Sequence, residues 1–269
     1  MRCFSAVSNP IHLLGLLLIG LVAIAGWRIK SLTLSGAAAA CFTGILIYMG
    51  YGFKGLFLLG AFFASSSLLS KYKRNRKKVL DEMLEKGDRR DSVQVLANGG
   101  ISSVAGLLFW LTGSDIWTAV FCTSIAAANS DTWASEIGTL SKRSPRMLLT
   151  MKKAARGTSG AVSLQGTAAA AAGAAFIACL SVPLFRLDPL WGILIGLIGF
   201  GGNLADTILG GSLQVKYKCP VCGSITEKKT HCGVKGSVVQ GYSFFNNDLV
   251  NALSIGIAAA LSAALFILF

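Results

Sequence analysis

The chain has 269 residues and a formal net charge of +13, and 53% of its residues are hydrophobic whereas only 14% are charged. Its mean hydropathy of +0.62 is far above that of an ordinary soluble domain. The composition therefore excludes a conventional water-soluble enzyme and predicts a protein whose solvent is the lipid bilayer.

Apolar runs long enough to cross a bilayer follow one another along the whole chain. The first begins directly after residue 3 and shows no evident cleavage site, so it is interpreted as a retained helix. The fold class is predicted to be all-α: a polytopic transmembrane helical bundle forming a single integral membrane domain over residues 1–269. It has about eight spans, at 11–27, 33–50, 55–70, 94–112, 116–137, 160–182, 190–210 and 248–268.

Basic residues are concentrated on one side of these spans. Only Arg2, Lys54 and Arg186 of the 25 Lys and Arg lie outside the connections that follow the first, third, fifth and seventh spans. The positive-inside rule places these connections in the cytoplasm of a cell or inner membrane, with both termini outside. This topology explains the positive charge without a nucleic-acid partner. Three connections are long: a charged loop at 71–91, a basic, glycine-containing loop at 139–159 and a Cys/His loop at 212–247.

Polar side chains inside apolar spans are costly and tend to mark function. Here they gather at the predicted cytoplasmic ends of four spans, taken in chain order: Asp91, Gln94 and Asn98; Asp131, Ser135 and Glu136; Asn203 and Asp206; Asn247, Asp248 and Asn251. Because the topology puts all four groups at one depth, they are predicted to meet at the cytoplasmic boundary.

Carboxylate and amide oxygens are the ligands that Mg²⁺ prefers, often one or two carboxylates completed by phosphate oxygens and water. Asp131, Asp206 and Asp248 are the predicted Mg²⁺ ligands, and Glu136 and Asn98 are further candidate catalytic residues. The alternative is that these acids cap helix ends or pair with nearby Lys and Arg.

A basic turn rich in glycine and hydroxyl residues precedes the sixth span, and such a turn at a helix N-terminus suits a phosphate. It lacks the spacing of a Walker A loop, and a flexible linker is the alternative interpretation. Arg89 and Arg90, just before the fourth span, offer a further phosphate clamp. The predicted substrate- and phosphate-binding residues are Arg89, Arg90, Asp91, Gln94, Ser135, Lys153, Arg156, Gly157, Thr158, Ser159, Gly160, Asn203, Asn247 and Asn251.

The loop at 212–247 contains a Cys-x-x-Cys pair followed by an adjacent His and Cys. In a cytoplasmic loop this set is closer to a small zinc knuckle than to a disulfide, with free thiols as the alternative. The candidate ligands of a structural Zn²⁺ are Cys219, Cys222, His231 and Cys232. These four residues are not assigned a catalytic role.

Taken in order, the segments 89–100, 131–138, 156–163, 206–210 and 246–251 resemble the motifs of the transmembrane-protein-19-like family of membrane proteins, which includes a plant phytyl-phosphate kinase. The resemblance implies phosphorylation of an isoprenoid monophosphate to the diphosphate, with CTP or another NTP as donor. Membrane lipid, nucleotide and isoprenoid monophosphate are then the expected partners. A nucleotidyltransferase that makes CDP-lipids and a transporter remain the alternatives, and the oligomeric state is not predicted.

Overall fold

The computed structural model describes residues 10–74 and 89–268, and most of these residues are helical. The helices in this part of the chain are α1 Pro10–Arg28, α2 Leu34–Lys71, α3 Ser92–Thr112, α4 Ile116–Gly138, α5 Leu164–Phe185, α6 Pro189–Ser212 and α7 Asn247–Leu268. The predicted helical membrane fold is confirmed. Most of the predicted charged loop at 71–91 lies outside the described residues.

Helix α2 consists of two antiparallel arms. At Gly52 the backbone leaves the helical conformation, with φ 59° and ψ −143°, a region open mainly to glycine. Both ends of α2 meet Arg90: the Thr33 N–H donates to the Arg90 carbonyl at 3.0 Å, and Arg90 Nη1 donates to Ser67 Oγ at 3.3 Å. A straight helix of 38 residues would separate its ends by about 57 Å. The chain therefore reverses at Gly52, and its arms correspond to the predicted spans 33–50 and 55–70.

Helix α4 is the centre of the bundle. Every residue from Thr118 to Ser130 is buried, and α3, α5, α6 and α7 all pack against it. Small residues permit this approach, since a Cβ added at Gly199 of α6 would lie 2.7 Å from that of Ala126. The polar side chains of α4 are satisfied by neighbouring helices: Asn129 Nδ2, for example, donates to the Gly173 carbonyl at 2.8 Å.

Six helices, α1 to α3 and α5 to α7, are long and apolar enough to cross a membrane. Helix α4 is not among them, although the sequence analysis predicted a span there. Because other helices surround α4 for most of its length, it can carry polar side chains that would be costly against lipid.

The two ends of the bundle differ in character. At one end, Tyr48 beside the turn of α2 donates to the Ile11 carbonyl of α1 at 3.2 Å, and Trp191 of α6 lies 5.2 Å from Phe266 of α7, ring centre to ring centre. Here α1 begins and α7 ends. At the other end, α4 and α6 end where α3, α5 and α7 begin. The side of the membrane on which each end lies stays a prediction.

The connections at this second end contain short antiparallel strands. Between α4 and α5, β1 (Arg146–Met147) pairs with β2 (Ala161–Val162). Between α6 and α7, β3 (Lys216–Lys218) lies between β4 (Ile225–Thr226) and β7 (Ser237–Gln240), and β5 (Thr230–His231) pairs with β6 (Val234–Lys235). The strands shape the loops that cover this end of the bundle.

Candidate active site at the helix ends

A cavity of about 340 Å³ lies where α4 and α6 end and α3, α5 and α7 begin. Most of the predicted site residues line it, although they come from four helices, the residue Arg90 before α3 and the loop at 157–160. Those lining it are Arg90, Gln94, Asn98, Asp131, Ser135, Glu136, Gly157, Thr158, Ser159, Gly160, Asn203, Asp206, Asn247, Asp248 and Asn251. The predicted convergence of polar groups at one end of the bundle is therefore present in the structure.

Two carboxylates face each other across α4 and α6. Asn203 Nδ2 donates to Asp131 Oδ1 at 3.0 Å, and Ser254 Oγ donates to Asp206 Oδ2 at 3.2 Å. The Asn251 amide, oriented to satisfy its neighbours, donates to the same Asp206 oxygen at 3.0 Å. These donors are neutral, and a charge on Asp131 repels a charge on Asp206. A cation in the cavity would offset this repulsion and favour the ionised form of both carboxylates.

Asp248 lies in the first turn of α7 and is buried, with 5% of its surface exposed. It lines the same cavity as Asp131 and Asp206, but the three acids do not form a tight cluster. Among the described residues, the group at Cys219 is the one in which three or more His, Cys, Asp or Glu ligand atoms lie within 4.8 Å of one another. The carboxylates of α4 and α6 are thus the better pair for one ion.

Arg90 and Glu136 also line this cavity. The Ser70 hydroxyl donates to Glu136 Oε1, and the Arg90 guanidinium lies 5.8 Å from the centre of the Phe63 ring. Burial lowers the pKa of Arg90 from its usual value, and the nearby Glu136 charge opposes that shift. Arginine stays protonated even so, so the cavity holds a cationic fork.

The glycine turn at 157–160 closes the cavity between α5 and α6. Gly157 and Gly160 both have positive φ, 78° and 86°, which favours glycine. Gly160 also packs on α6 so closely that an added Cβ would lie 2.2 Å from Gly211 Cα. Its carbonyl accepts a hydrogen bond from the Leu148 N–H at 3.0 Å, so the turn is held in one shape.

Three helix N-termini surround the cavity. Ser163 caps α5, where its hydroxyl accepts from the Gly166 N–H at 3.1 Å. Asp91 caps α3 in a reciprocal pair with Gln94, and Asn246 Oδ1 accepts from the Leu249 N–H of α7 at 3.0 Å. The positive ends of three helix dipoles therefore favour negative charge in a cavity whose charged side chains are mostly acidic.

Four predicted site residues do not line the cavity. Asp91 is the cap just described, and Arg89 Nη2 donates to the Leu32 carbonyl at 3.1 Å. Arg156 Nη2 donates to the Lys142 carbonyl at 3.1 Å, and Lys153 bridges to Arg146 in the strand region. Neither Lys153 nor Arg156 thus lines the cavity, whereas residues 157–160 do.

The sequence analysis did not single out Glu227 or Ser70, which also line the cavity. Glu227 comes from the Cys/His loop and accepts a hydrogen bond from the Ser159 hydroxyl, while Lys216 Nζ donates to the Ser159 carbonyl at 3.0 Å. Burial lowers the pKa of Lys216, and Glu227 opposes that shift. Nothing in the spacing of Glu227 marks it, because its position depends on how the loop folds.

The Cys/His group lies at two turns of this loop. Cys222 Sγ and Cys232 Sγ lie 3.4 and 3.3 Å from His231 Nδ1, and Cys219 is buried beside them. Hydrogen bonds from the side chain and backbone of Ser224 lower the pKa of Cys222 to about 6. Cys222 thus favours the thiolate, the form that binds metals, whereas the side-chain hydrogen bond with Cys222 raises the pKa of Cys232 to about 11.

A second, apolar cavity of about 140 Å³ adjoins the first. Side chains of α1, both arms of α2 and α3 line it, mostly aliphatic and aromatic. Four residues line both cavities: Arg90, Gln94, Asn98 and Thr132. A molecule with a charged head and a hydrocarbon tail would fit across this shared boundary.

The fold and the site define a polytopic helical membrane protein with an acidic, helix-capped cavity at one end. A family profile described as "Integral membrane protein DUF92" matches residues 17–259. The chain belongs to this family, and the resemblance to the transmembrane-protein-19-like family that includes phytyl-phosphate kinase is confirmed.

Relatives of the chain include plant and archaeal proteins. Protein PGR of Arabidopsis thaliana is 34% identical over 90% of this chain and 92% of its own length. Protein VTE6, chloroplastic, of the same plant is 28% identical over 86% of this chain and 64% of its own length. The membrane protein MJ0933 of Methanocaldococcus jannaschii is 33% identical over 75% of this chain and 82% of its own length. No solved structure matches the chain significantly.

Proposed function

We propose that the chain is a membrane lipid kinase that transfers the γ-phosphoryl group of an NTP, with CTP as the expected donor, to a polyprenyl or phytyl monophosphate. Membership of a family that includes phytyl-phosphate kinase supports this class of reaction. The observation that carries the proposal is the meeting of an acidic pair, a glycine turn and three helix N-termini around one cavity.

Asp131 and Asp206 are the residues that would hold Mg²⁺. Two carboxylates with neutral hydrogen-bond donors fit an ion that takes its remaining ligands from phosphate oxygens and water. Bound there, Mg²⁺ would neutralise charge on the transferring phosphoryl group. Asp248, Asn98 and Asn251 lie on the same cavity and would orient water or phosphate oxygens around that ion.

The glycine turn would bind the nucleotide phosphates. Its backbone and the first turn of α5 line the cavity, and backbone N–H groups at a helix N-terminus suit phosphate oxygens. The Arg156 side chain donates to the Lys142 carbonyl and the Lys153 backbone pairs with Arg146, so neither residue lines the cavity. The proposed phosphate ligands are thus backbone N–H groups, whereas the sequence analysis had also included the basic side chains of Lys153 and Arg156.

Arg90 would hold the acceptor phosphate. It is the cationic side chain at the boundary of the two cavities, and a guanidinium binds phosphate with two parallel hydrogen bonds. An oxygen of the lipid monophosphate then attacks the γ-phosphorus, the bond from that phosphorus to the β–γ bridging oxygen breaks, and the NDP leaves. No general base is needed, since the attacking oxygen already carries charge.

The hydrocarbon chain of the acceptor would occupy the apolar cavity. Leu18, Val22, Leu59 and Phe63 are among its lining residues, so an isoprenoid chain there replaces contacts with lipid. Gly60 also lines this cavity, and a Cβ at that position would meet nothing within 4 Å. The proposal therefore predicts that a side chain added at Gly60 changes how activity depends on the chain length of the acceptor.

Formation of the lipid diphosphate tests the proposal. Purified protein is incubated with Mg²⁺, each γ-labelled NTP in turn and a panel of prenyl monophosphates, and the lipid products are separated. We expect label in a lipid diphosphate together with release of NDP. Release of pyrophosphate and a CDP-lipid would identify a nucleotidyltransferase instead, and no lipid product with any donor would refute both.

A further inference from the structure

The Cys/His loop is built like a metal site rather than a small hydrophobic domain. Its strands are only two to four residues long, and Val221 and Ile225 leave 66% and 56% of their surface exposed. Segments this short with so little buried apolar surface need another source of stability. A bound ion supplies it in many small zinc modules.

The two turns that carry the ligands have matching construction. Cys222 is followed by Gly223 and Cys232 by Gly233, with φ of 72° and 75° at the two glycines. Each turn joins a pair of antiparallel strands, β3 to β4 and β5 to β6. Two hairpin turns with this geometry bring their ligands to one point from opposite sides.

The ligand spacing agrees with tetrahedral zinc. Sulfur and nitrogen ligands of a tetrahedral Zn²⁺ lie about 3.6 Å apart, given bonds of about 2.3 and 2.0 Å. Cys222 Sγ and Cys232 Sγ lie 3.4 and 3.3 Å from His231 Nδ1, and all four ligand atoms of the group lie within 4.8 Å of one another. The cysteines are free thiols, as zinc binding requires.

The loop that carries these ligands also holds the glycine turn. Cys219 follows β3 directly, and β3 begins at Lys216, which donates to the Ser159 carbonyl. Glu227 follows β4 and accepts from the Ser159 hydroxyl. The two contacts on Ser159 therefore start from strands that are joined by one of the ligand-bearing turns.

We propose that Cys219, Cys222, His231 and Cys232 bind one structural Zn²⁺, and that this ion fixes the loop so that Lys216 and Glu227 clamp the glycine turn through Ser159. The ion takes no part in the reaction. Its site lacks an open position, because three sulfurs and one nitrogen complete the tetrahedron. Zinc content does not depend on the reaction in the cavity, so the two proposals are tested separately.

Metal analysis of the full-length protein in detergent tests the site. We expect about one zinc per chain, lost in Cys222→Ser and kept in Cys179→Ser, since Cys179 is an exposed thiol of α5. Cobalt in place of zinc should give the intense visible absorption of a tetrahedral thiolate site. Zinc-free wild-type protein after growth with added zinc, or equal zinc in both variants, would overturn the site.

Hydrogen exchange at 157–160 tests the clamp. Removing zinc from wild-type protein with a chelator should speed exchange of these amides severalfold, which avoids relying on a variant that fails to fold. Glu227→Ala, which removes the acceptor for the Ser159 hydroxyl, should keep zinc and loosen the same amides. If zinc leaves and the exchange rates at 157–160 stay unchanged, the site is real but the clamp is wrong.

Discussion

The two adjoining cavities are built from different parts of the same helices. The polar cavity uses helix ends, where backbone N–H groups lack intrahelical partners and the dipoles of α3, α5 and α7 are directed inward. The apolar cavity uses the middles of α1 and of both arms of α2 together with the first turns of α3, and its side chains determine its chemistry. Under the proposed function, the phosphates would bind at the helix ends and the hydrocarbon chain in the apolar cavity.

The boundary between the cavities is narrow. Arg90, Gln94, Asn98 and Thr132 line both cavities, and the first three lie just before α3 or within its first two turns. The surroundings of a lipid monophosphate bound across this boundary would therefore change from charged to apolar within one or two helical turns. Substitutions on either side of this boundary should affect different kinetic constants.

The largest effect is expected at the acidic pair of the polar cavity. Asp131→Asn or Asp206→Asn should lower kcat on the order of a hundredfold or more, about 3 kcal/mol in the barrier, because the metal loses a charged ligand. Turnover of each variant with saturating Mg²⁺ measures this effect.

Asp188→Asn provides the matched control for the acidic pair. Asp188 is exposed, caps α6 at the far end of the bundle and accepts from the Leu190 N–H at 2.8 Å, a role that Asn fills equally well. Its activity should remain near that of the wild type. Equal kcat values for Asp131→Asn and the control would remove Asp131 from the reaction centre.

The sequence singled out most of the helix residues and the glycine turn that line the cavity, but not the contribution of the Cys/His loop. Asp131 and Asp206 stand out because an ionisable residue is costly in an apolar run. Glu227 does not stand out, since a charged residue in a polar loop is ordinary until the fold of the loop brings it to Ser159. The apolar cavity could not be predicted either, because it depends on how the side chains of three helices fail to fill their shared space.

Within the basic turn, the charged residues and the glycines occupy different places relative to the cavity. The charges of Lys153 and Arg156 drew attention to the turn, but Arg156 contacts the Lys142 carbonyl and Lys153 lies in the strand region. The glycines beside them line the cavity. The composition indicates a phosphate site, but only the backbone path shows which atoms face it.

A smaller effect is expected at the glycine turn. Gly160→Ala should raise the KM for the NTP about 10- to 30-fold, because positive φ costs a residue with a Cβ about 1–2 kcal/mol and the new methyl group would collide with Gly211. Gly113→Ala is the control, since Gly113 also has positive φ but meets nothing within 4 Å and lies far from the cavity. Similar NTP affinities in the two variants would show that the turn does not hold the nucleotide.

The smallest and most selective effect is expected in the apolar cavity. Gly60→Leu adds a side chain to its wall, so kcat/KM should fall about three- to tenfold for phytyl monophosphate and little for geranyl monophosphate. Gly100→Leu is the matched control, because a Cβ at Gly100 also meets nothing within 4 Å and Gly100 lines neither cavity. The ratio of kcat/KM for phytyl monophosphate to kcat/KM for geranyl monophosphate distinguishes a loss of chain binding from a general loss of activity. An unchanged ratio in Gly60→Leu would place the hydrocarbon chain elsewhere, in contact with lipid, and would leave the phosphate chemistry at the helix ends intact.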